Sequence, residues 1–276
     1  MNETIALKKL LINYNIIPNK KFAQNFLINK DIINKIIHSL GDVQNKNLLE
    51  IGPGIGCFTK RLLEMKLKSL TVIEIDRKFA PLLNKIKSRS YKNFQIIIND
   101  ALKIKEESVI NGRYIIVANL PYNISIPLIL KWLKKLYFID KIIIMLQKEV
   151  ADQITAKPSN YSYGRLSVLV QFVCECELLF FIEPQNFFPS PIVKSSIIKL
   201  KPRKKLPSPK EINSFEKMCK LIFNFRRKTL KNSLGNFFNN PKEDLDIVEI
   251  KYGKRSEKLT INEVFRLSIL YIFNKN

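Results

Sequence analysis

Leu48-Leu49-Glu50-Ile51-Gly52-Pro53-Gly54-Ile55-Gly56 is an apolar run that breaks into three glycines at alternate positions. Residues 47–51 read as a buried strand, and the pattern after Gly56, continued by 62–65, reads as a helix. A turn of this kind lets the backbone pass close to a ligand and adopt positive φ. After the first strand of an α/β sheet it lies where such folds bind nucleotides. The spacing is G-x-G-x-G. It is neither the G-x-G-x-x-G of dinucleotide enzymes nor a P-loop ending in G-K-[ST], which argues against NAD and ATP.

Downstream, strand-like and helix-like segments alternate. Residues 70–75, 94–98, 114–118 and 141–146 read as strands, with helices at 79–86 and 127–136. Alternation of this kind predicts a parallel sheet with helices on both faces. Two later runs, 166–174 and 193–200, also read as strands, joined by an aromatic, proline-rich connection at 187–191. They break the alternation, so they are expected to lie antiparallel at a sheet edge, for seven strands in all. The basic, proline-rich stretch 201–209 (KPRKKLPSP) reads as a linker. From Glu211 onward the periodicity is helical: Phe215, Met218, Cys219 and Ile222, then 245–250, then Val264, Leu267 and 269–272. The expected division is therefore a catalytic domain at 1–203 and a small all-helical domain at 204–276.

Two carboxylates extend the glycine turn into a binding site. Glu74 closes the second strand, 22 residues past Gly52, where a carboxylate can accept both ribose hydroxyls of an adenosine-containing ligand. Asp100 follows the third strand and can accept a hydrogen bond from an adenine amine. Singly, each is more often a solvated turn residue. The turn with Gly52 and Gly54, then Glu74, then Asp100, at three successive strand ends, points to S-adenosylmethionine.

Asn119-Leu120-Pro121-Tyr122 follows the fourth strand and is the most specific feature of the chain. An exocyclic adenine amine is a poor nucleophile because its lone pair is delocalised into the ring. Accepting hydrogen bonds from its N–H groups favours a pyramidal nitrogen with the lone pair aimed at a methyl donor. The Asn119 side-chain oxygen and the Leu120 carbonyl are suitable acceptors, and Pro121 fixes the backbone between them. The Tyr122 ring offers a stacking face for a flipped base, a contact worth roughly 1–3 kcal/mol. In isolation the motif would read as an ordinary Asn/Pro turn. Its place at the end of strand four, downstream of a nucleotide turn, favours amine methylation.

Composition bounds the partners. The chain has 276 residues, 47 of them Lys or Arg against 24 Asp or Glu, a formal net charge of +23 and a sequence pI of about 9.8. So basic a chain suits a polyanion such as nucleic acid. Only ten of the basic residues are Arg, however, and Ile and Asn are abundant, as an AT-rich genome would also produce. A local cluster, 225–231 with Arg226, Arg227, Lys228 and Lys231, therefore carries more weight as a phosphate-contacting segment. A solvated helix face is the competing reading. Cys57, Cys174, Cys176 and Cys219 form no C-x-x-C pair, and the single histidine, His38, reads as a solvent-facing helix residue. Neither a zinc site nor a histidine-based catalytic pair is expected. The cysteine usage, the lack of a signal-like apolar stretch at the start and the lack of any run of 18 apolar residues suit a cytoplasmic protein with no membrane span. Nothing marks an obligate dimer, so a monomer is expected.

Taken together, these segments resemble the ribosomal RNA adenine dimethyltransferase family, within it the bacterial branch acting on the small subunit. The resemblance covers nearly the whole chain. It rests on Gln24-Asn25-Phe26-Leu27, 50–54, VIEIDR at 72–77, NLPYNIS at 119–125, LQKEV at 146–150, YGRLSV at 163–168, FPSPIVKS at 188–195 and RRKTLKNSL at 226–234. It implies a Rossmann-like seven-stranded S-adenosylmethionine-dependent methyltransferase sheet of the α/β class with a small C-terminal all-helical domain. It implies dimethylation of adenosine N6 in small-subunit (16S) RNA, with the small ribosomal subunit as partner and a role in subunit biogenesis. By the same resemblance Asn25 and Leu27 close over the methionine and ribose end of the cofactor. Gly52 packs against it, Glu74 holds its ribose and Asp100 its adenine. Asn119 and Tyr122 hold the target base, and Asn119 also borders the cofactor. Phe188 is a candidate for the opposite face of that base, with a core aromatic as the equal alternative. Ile192 departs from the lysine usual in the family, which bears on RNA contacts at that loop and not on catalysis. A large-subunit dimethyltransferase would share the turn and the strand-four motif, but Leu120, YGRLSV and RRKTLKNSL favour the small-subunit branch. A silent assembly factor would be expected to lose Asn119, Tyr122 or Glu74, and a DNA or small-molecule methyltransferase would not need a basic helical domain.

Overall fold

A computed structural model describes residues 3–19, 24–87, 93–224, 229–235, 238 and 240–273. The chain opens with α1 (Glu3–Asn13), β1 (Phe26–Leu27) and α2 (Lys30–Ser39). The alternating core follows: β2 (Asn47–Ile51), α3 (Cys57–Leu62), β3 (Ser69–Glu74), α4 (Ala80–Lys87), β4 (Phe94–Ile98), β5 (Tyr114–Asn119), α5 (Tyr122–Leu133) and β6 (Ile139–Gln147). Next come α6 (Lys148–Thr155), α7 (Arg165–Val173), β7 (Cys174–Ile182), β8 (Phe187–Phe188) and β9 (Ser195–Pro202).

Seven strands form one sheet in the order β4-β3-β2-β5-β6-β9-β7. β2 pairs in parallel with β3 and β5, as do β3 with β4 and β5 with β6, whereas β9 runs antiparallel to β6. The fold is of the α/β class. β2 is buried along its whole length and β5 along all but its last residue, as expected where helices cover both faces of a parallel sheet. Leu48, Leu49, Val72, Ile116 and Ile144 are essentially inaccessible. Each such side chain contributes roughly 1.5–3 kcal/mol by leaving water. Chain order runs outward from β2 through β3 to β4, then restarts on the other side with β5. The switch point between β2 and β5 is where open α/β sheets bind ligands, beyond the carboxyl ends of the strands.

One expected strand is not a strand. Residues 166–173 form most of α7, and the edge strand is the following segment, β7, which begins at Cys174. The continuous apolar run does not distinguish a buried helix from a buried strand, and its valines favour the latter. Tertiary bonds decide it. The Ser167 hydroxyl accepts from the Gly164 N–H at 3.0 Å and donates to the Gln153 carbonyl, while the Gln171 amide donates to the carbonyls of Ile154 and Ala156. The seven-strand count and the antiparallel return of β9 stand as expected.

The chain divides into two compact units. The first is Met1–Lys148 with Glu177–Lys201, and the second is Glu149–Cys176 with Pro202–Asn276. The second contains α8 (Pro209–Phe223), α9 (Leu230–Leu234), α10 (Pro241–Ile247) and α11 (Ile261–Phe273). α8 starts where a proline-rich linker is expected to end. Ser208 and Glu211 form a reciprocal capping box around Pro209, which occupies the first helical position. Phe215, Met218, Cys219 and Ile222 are all buried, at the spacing read from the sequence. Within this unit the Phe172 ring stacks on Phe215 at 3.7 Å and lies 5.2 Å from Phe265, which ties α7 to α8 and α11.

Candidate active site

The glycine turn fits its strand ends closely. Gly52, at φ +69°, still donates its N–H to the Ile73 carbonyl at 2.9 Å, and a β-carbon there would stand 3.2 Å from the Asn119 carbonyl. Gly54, at φ +51°, passes under the Phe26 ring, whose edge would be 3.3 Å from an added β-carbon. Both positions need a residue without a side chain. The Gly54 N–H donates to Glu74 Oε2 at 2.9 Å, so the turn and the end of β3 are one unit.

Glu74 is 5% exposed, and its Oε1 accepts the Asp76 N–H at 2.9 Å. Burial pushes its carboxyl above the usual carboxylate range, opposed by the N–H groups of Asp76 and Gly54. The Ile75 N–H also faces the carboxylate, so the backbone braces both of its oxygens. Asp76 in turn accepts from the Gln24 side-chain amide at 2.9 Å, and Gln24 Oε1 accepts the Asn19 N–H at 2.8 Å. The segment before β1 is thereby strapped to the end of β3. Glu50 is more deeply buried, 1% exposed, and accepts from the Thr59 hydroxyl at 2.6 Å. Desolvation pushes its carboxyl up to about 8.

Asn119 ends β5, and its amide nitrogen donates to the Asn25 carbonyl at 3.4 Å. Leu120 buries its side chain at 2% exposure. Pro121, at φ −55° and ψ 137°, caps α5 and accepts the Ile124 N–H at 3.2 Å. Tyr122 begins α5, and its side chain lies outside the described residues. Asp100 Oδ1 accepts the Leu102 N–H at 2.9 Å, and its own N–H donates to Asn99 Oδ1 at 2.8 Å.

The glycine turn, Glu50, Glu74, Asp100, Asn119 and Pro121 line one cleft of about 220 Å³. Of the expected residues, Asn25, Leu27, Gly52, Gly54, Glu74, Asp100, Asn119 and Pro121 line it. Leu120 and Phe188 do not line it. Phe188 is partly buried, pairs with Phe26 across the β1–β8 ribbon, and carries the Lys8 ammonium 5.3 Å from its ring centre. Sequence reasoning assigns no role to Gln24, Phe26, Glu50, Asn99 and Asn123, which also line the cleft. Gln24 and Phe26 flank Asn25 in a motif already singled out, and Glu50 sits inside the quoted turn, so proximity in sequence is the signal that could have found them. Arg226, Arg227 and Lys228 fall outside the described residues, as does the Lys231 side chain. His38 is exposed in the last turn of α2. Among the described residues no group of three or more His, Cys, Asp or Glu could hold a metal ion, and no helix is long and apolar enough to cross a membrane.

A three-sided acceptor set, two carboxylates and an amide, around glycines that leave room for a ligand suits an adenosine-containing molecule of one nucleoside and a short tail. A family model described as ribosomal RNA adenine dimethylase matches residues 17–272. The chain is 41% identical over 260 residues to ribosomal RNA small subunit methyltransferase A of Wolbachia pipientis wMel, covering 93% of this chain and 88% of the relative. It is 36% identical over 253 residues to the protein of the same name in Anaplasma marginale, covering 90% and 92%. Among solved structures, a dimethyladenosine transferase from Plasmodium falciparum superposes with a TM-score of 0.76 at 26% identity, covering 90% of this chain and 96% of that one. The 23S rRNA methyltransferase ErmE superposes at 0.71 with 23% identity, covering 90% and 100%, a likeness of fold.

Proposed function

The chain belongs to the ribosomal RNA adenine dimethylase family, and from that premise we propose that it transfers methyl groups from S-adenosylmethionine to the N6 amine of adenosines in small-subunit (16S) rRNA, giving N6,N6-dimethyladenosine. It is a methyltransferase by family and by its relatives' names. The small-subunit substrate follows the name that the Wolbachia and Anaplasma relatives share. The observation that carries the chemistry is the orientation of Asn119, whose amide nitrogen is committed to the Asn25 carbonyl and whose oxygen is therefore free for a target amine.

S-adenosylmethionine, when bound, supplies an electrophilic methyl group on a sulfonium. The residues present fit it: Gly52 and Gly54 leave space that a β-carbon would fill, and Glu74, held in the cleft by backbone N–H groups, offers its remaining acceptor capacity to a ribose diol. Asp100 presents a carboxylate at the cleft for the adenine amine, and Asn25 and Leu27 cover the tail. Asn119 Oδ1 and the Leu120 carbonyl accept the two N–H groups of the target amine, holding its lone pair toward the donor. Tyr122 stacks on the extruded base. Transfer needs alignment rather than a strong base, because the methylated amine loses its proton to solvent afterwards. In this reading residues 1–203 carry the chemistry, and 204–276, with Arg226, Arg227, Lys228 and Lys231, anchor phosphates without reading sequence. The setting is the cytoplasm, and the protein acts as a monomer on the small subunit during its maturation.

The test uses labelled S-adenosylmethionine and separately purified, unmodified small and large ribosomal subunits, followed by nucleoside separation. Dimethyladenosine in small-subunit RNA alone is the expected result. Label in large-subunit RNA alone would overturn the substrate assignment.

A further inference from the structure

α5 serves the site at both ends. Its first turn brings Asn123 and Ile124 to the cleft, and its last turn carries Lys131. The Lys131 ammonium donates to the Ala101 carbonyl at 2.6 Å, to the Ile104 carbonyl, and to Glu106 Oε1 at 2.7 Å. An ammonium has three donors, and all three are used. The surroundings are largely dry: the Lys131 side chain is 17% exposed and that of Glu106 is inaccessible. Glu106 Oε1 also accepts from the Trp132 indole at 3.1 Å. Ala101 is itself a wall of the cleft, between Asp100 and Leu102, which also line it. At its start the loop is tied to the sheet, where the Asn99 N–H donates to the Glu74 carbonyl at 2.9 Å, but from Asp100 to Ile104 the other bonds are short-range ones, from Leu102 N–H and Lys103 N–H back to Asp100 and from Asp100 N–H to Asn99 Oδ1. The short-range bonds shape the turn, and beyond Asn99 it is Lys131 that ties the far side of the loop, at Ala101 and Ile104, to another element.

We propose that Lys131 is a positioning residue for adenine recognition: by holding the carbonyls of Ala101 and Ile104 it fixes the 100–104 loop, and with it the Asp100 carboxylate, relative to the helix that presents the target-amine motif. The inference rests on the reading of Asp100 as acceptor for the adenine amine. A displacement of about 1 Å is enough to lose a directed contact of this kind. Lys135 supplies the contrast. It reaches Glu106 Oε2 at 3.6 Å and both oxygens of Glu107, so it shares the charge of the cluster, but its partners are these carboxylates and not the loop carbonyls.

The experiment measures, by calorimetry, the affinities of S-adenosylhomocysteine and of S-inosylhomocysteine, in which an oxo group replaces the adenine amine. The wild-type protein is expected to favour the adenine ligand at least about tenfold, the scale of one hydrogen bond to a charged acceptor. Lys131→Met is expected to reduce that preference below about threefold, and Lys135→Met to keep it. Thermal unfolding of both variants controls for the fold. If Lys131→Met does not fold, Lys131→Arg keeps the charge beside Glu106 but offers a planar fork to acceptors arranged around an ammonium, and the same loss of preference is expected. An undiminished preference in the folded Lys131 variant overturns the proposal. An equal loss in Lys135→Met does so as well, by assigning the effect to charge. A wild type that binds both ligands alike removes the Asp100 role and this inference together, with cofactor binding intact. A wild type that binds neither ligand refutes the functional reading itself.

Discussion

The amide nitrogen of Asn119 points at the backbone carbonyl of Asn25, 3.4 Å away and 94 residues earlier in the chain. A carbonyl only accepts, so this contact decides which way the Asn119 amide faces. Its oxygen is then turned away from the Asn25 carbonyl, as the proposed role in accepting from a target amine requires. Removing that acceptor leaves the cofactor pocket in place. Asn119→Ala should lower methyl transfer by about 10²–10³-fold, the scale seen when one directed transition-state hydrogen bond is deleted. S-adenosylhomocysteine affinity should stay within about threefold, well under the effect of one hydrogen bond to a charged group. Near-wild-type turnover would remove Asn119 from the chemistry.

Glu74 is braced by two backbone N–H groups, so its carboxylate is in place before any ligand arrives. Glu74→Gln keeps the shape but replaces one acceptor oxygen by a donor. We expect S-adenosylhomocysteine affinity to fall about ten- to a hundredfold, as for one or two hydrogen bonds to a charged group. Burial raises the Glu74 carboxyl above its ordinary value, so protonation sets in above the usual carboxylate range as pH falls. Wild-type affinity should therefore decline on acidification from neutral pH, and the Gln variant should not share that decline. Equal affinity of the two proteins at neutral pH would take Glu74 out of the ribose site.

Glu50 titrates at about 8 in the folded chain and near 4.5 when unfolded. Between those values the folded form holds a proton that the unfolded form has lost, so stability is fully present below about 4.5 and declines as pH rises to about 8. Glu50→Gln should remove this slope. Its melting temperature relative to wild type should increase steadily from pH 5 to pH 8 and level off above. A constant difference across that range would mean that Glu50 is ionised in the folded protein.

Arg226 and Arg227 are adjacent, in a chain where lysine outnumbers arginine. Reversing both charges should weaken small-subunit binding and flatten its dependence on salt, by about one unit of slope for each phosphate that is no longer neutralised. An unchanged slope in a filter-binding titration would return the segment to a solvated face.

Much of the cleft is legible in the sequence because its parts lie at strand ends, where a single motif fixes position. Gly52, Glu74, Asp100 and Asn119 all stand at the cleft. What sequence hides is contact across distance. The Gln24–Asp76 bond joins residues 52 apart, and the Phe26 ring over Gly54 joins a two-residue strand to a turn. Neither has a local signature. The 166–174 segment misleads for a related reason. Its own residues suit a strand, and the bonds from Ser167 and Gln171 to the carbonyls of Gln153, Ile154 and Ala156 make it a helix.

The order of the strands has a further consequence. β4, β3, β2 and β5 stand side by side, and at or just beyond their ends come Asp100, Glu74, Gly52 and Asn119. Neighbouring strands are about 4.8 Å apart, so these four positions mark off a ruler of about 14 Å. Laid along it in the proposed roles, the adenine, the ribose, the sulfur and the target amine fall on successive graduations. The spacing of the residues that would hold donor and acceptor is then set by hydrogen-bonded backbone. In those roles the nucleotide is left the β5 end of the row.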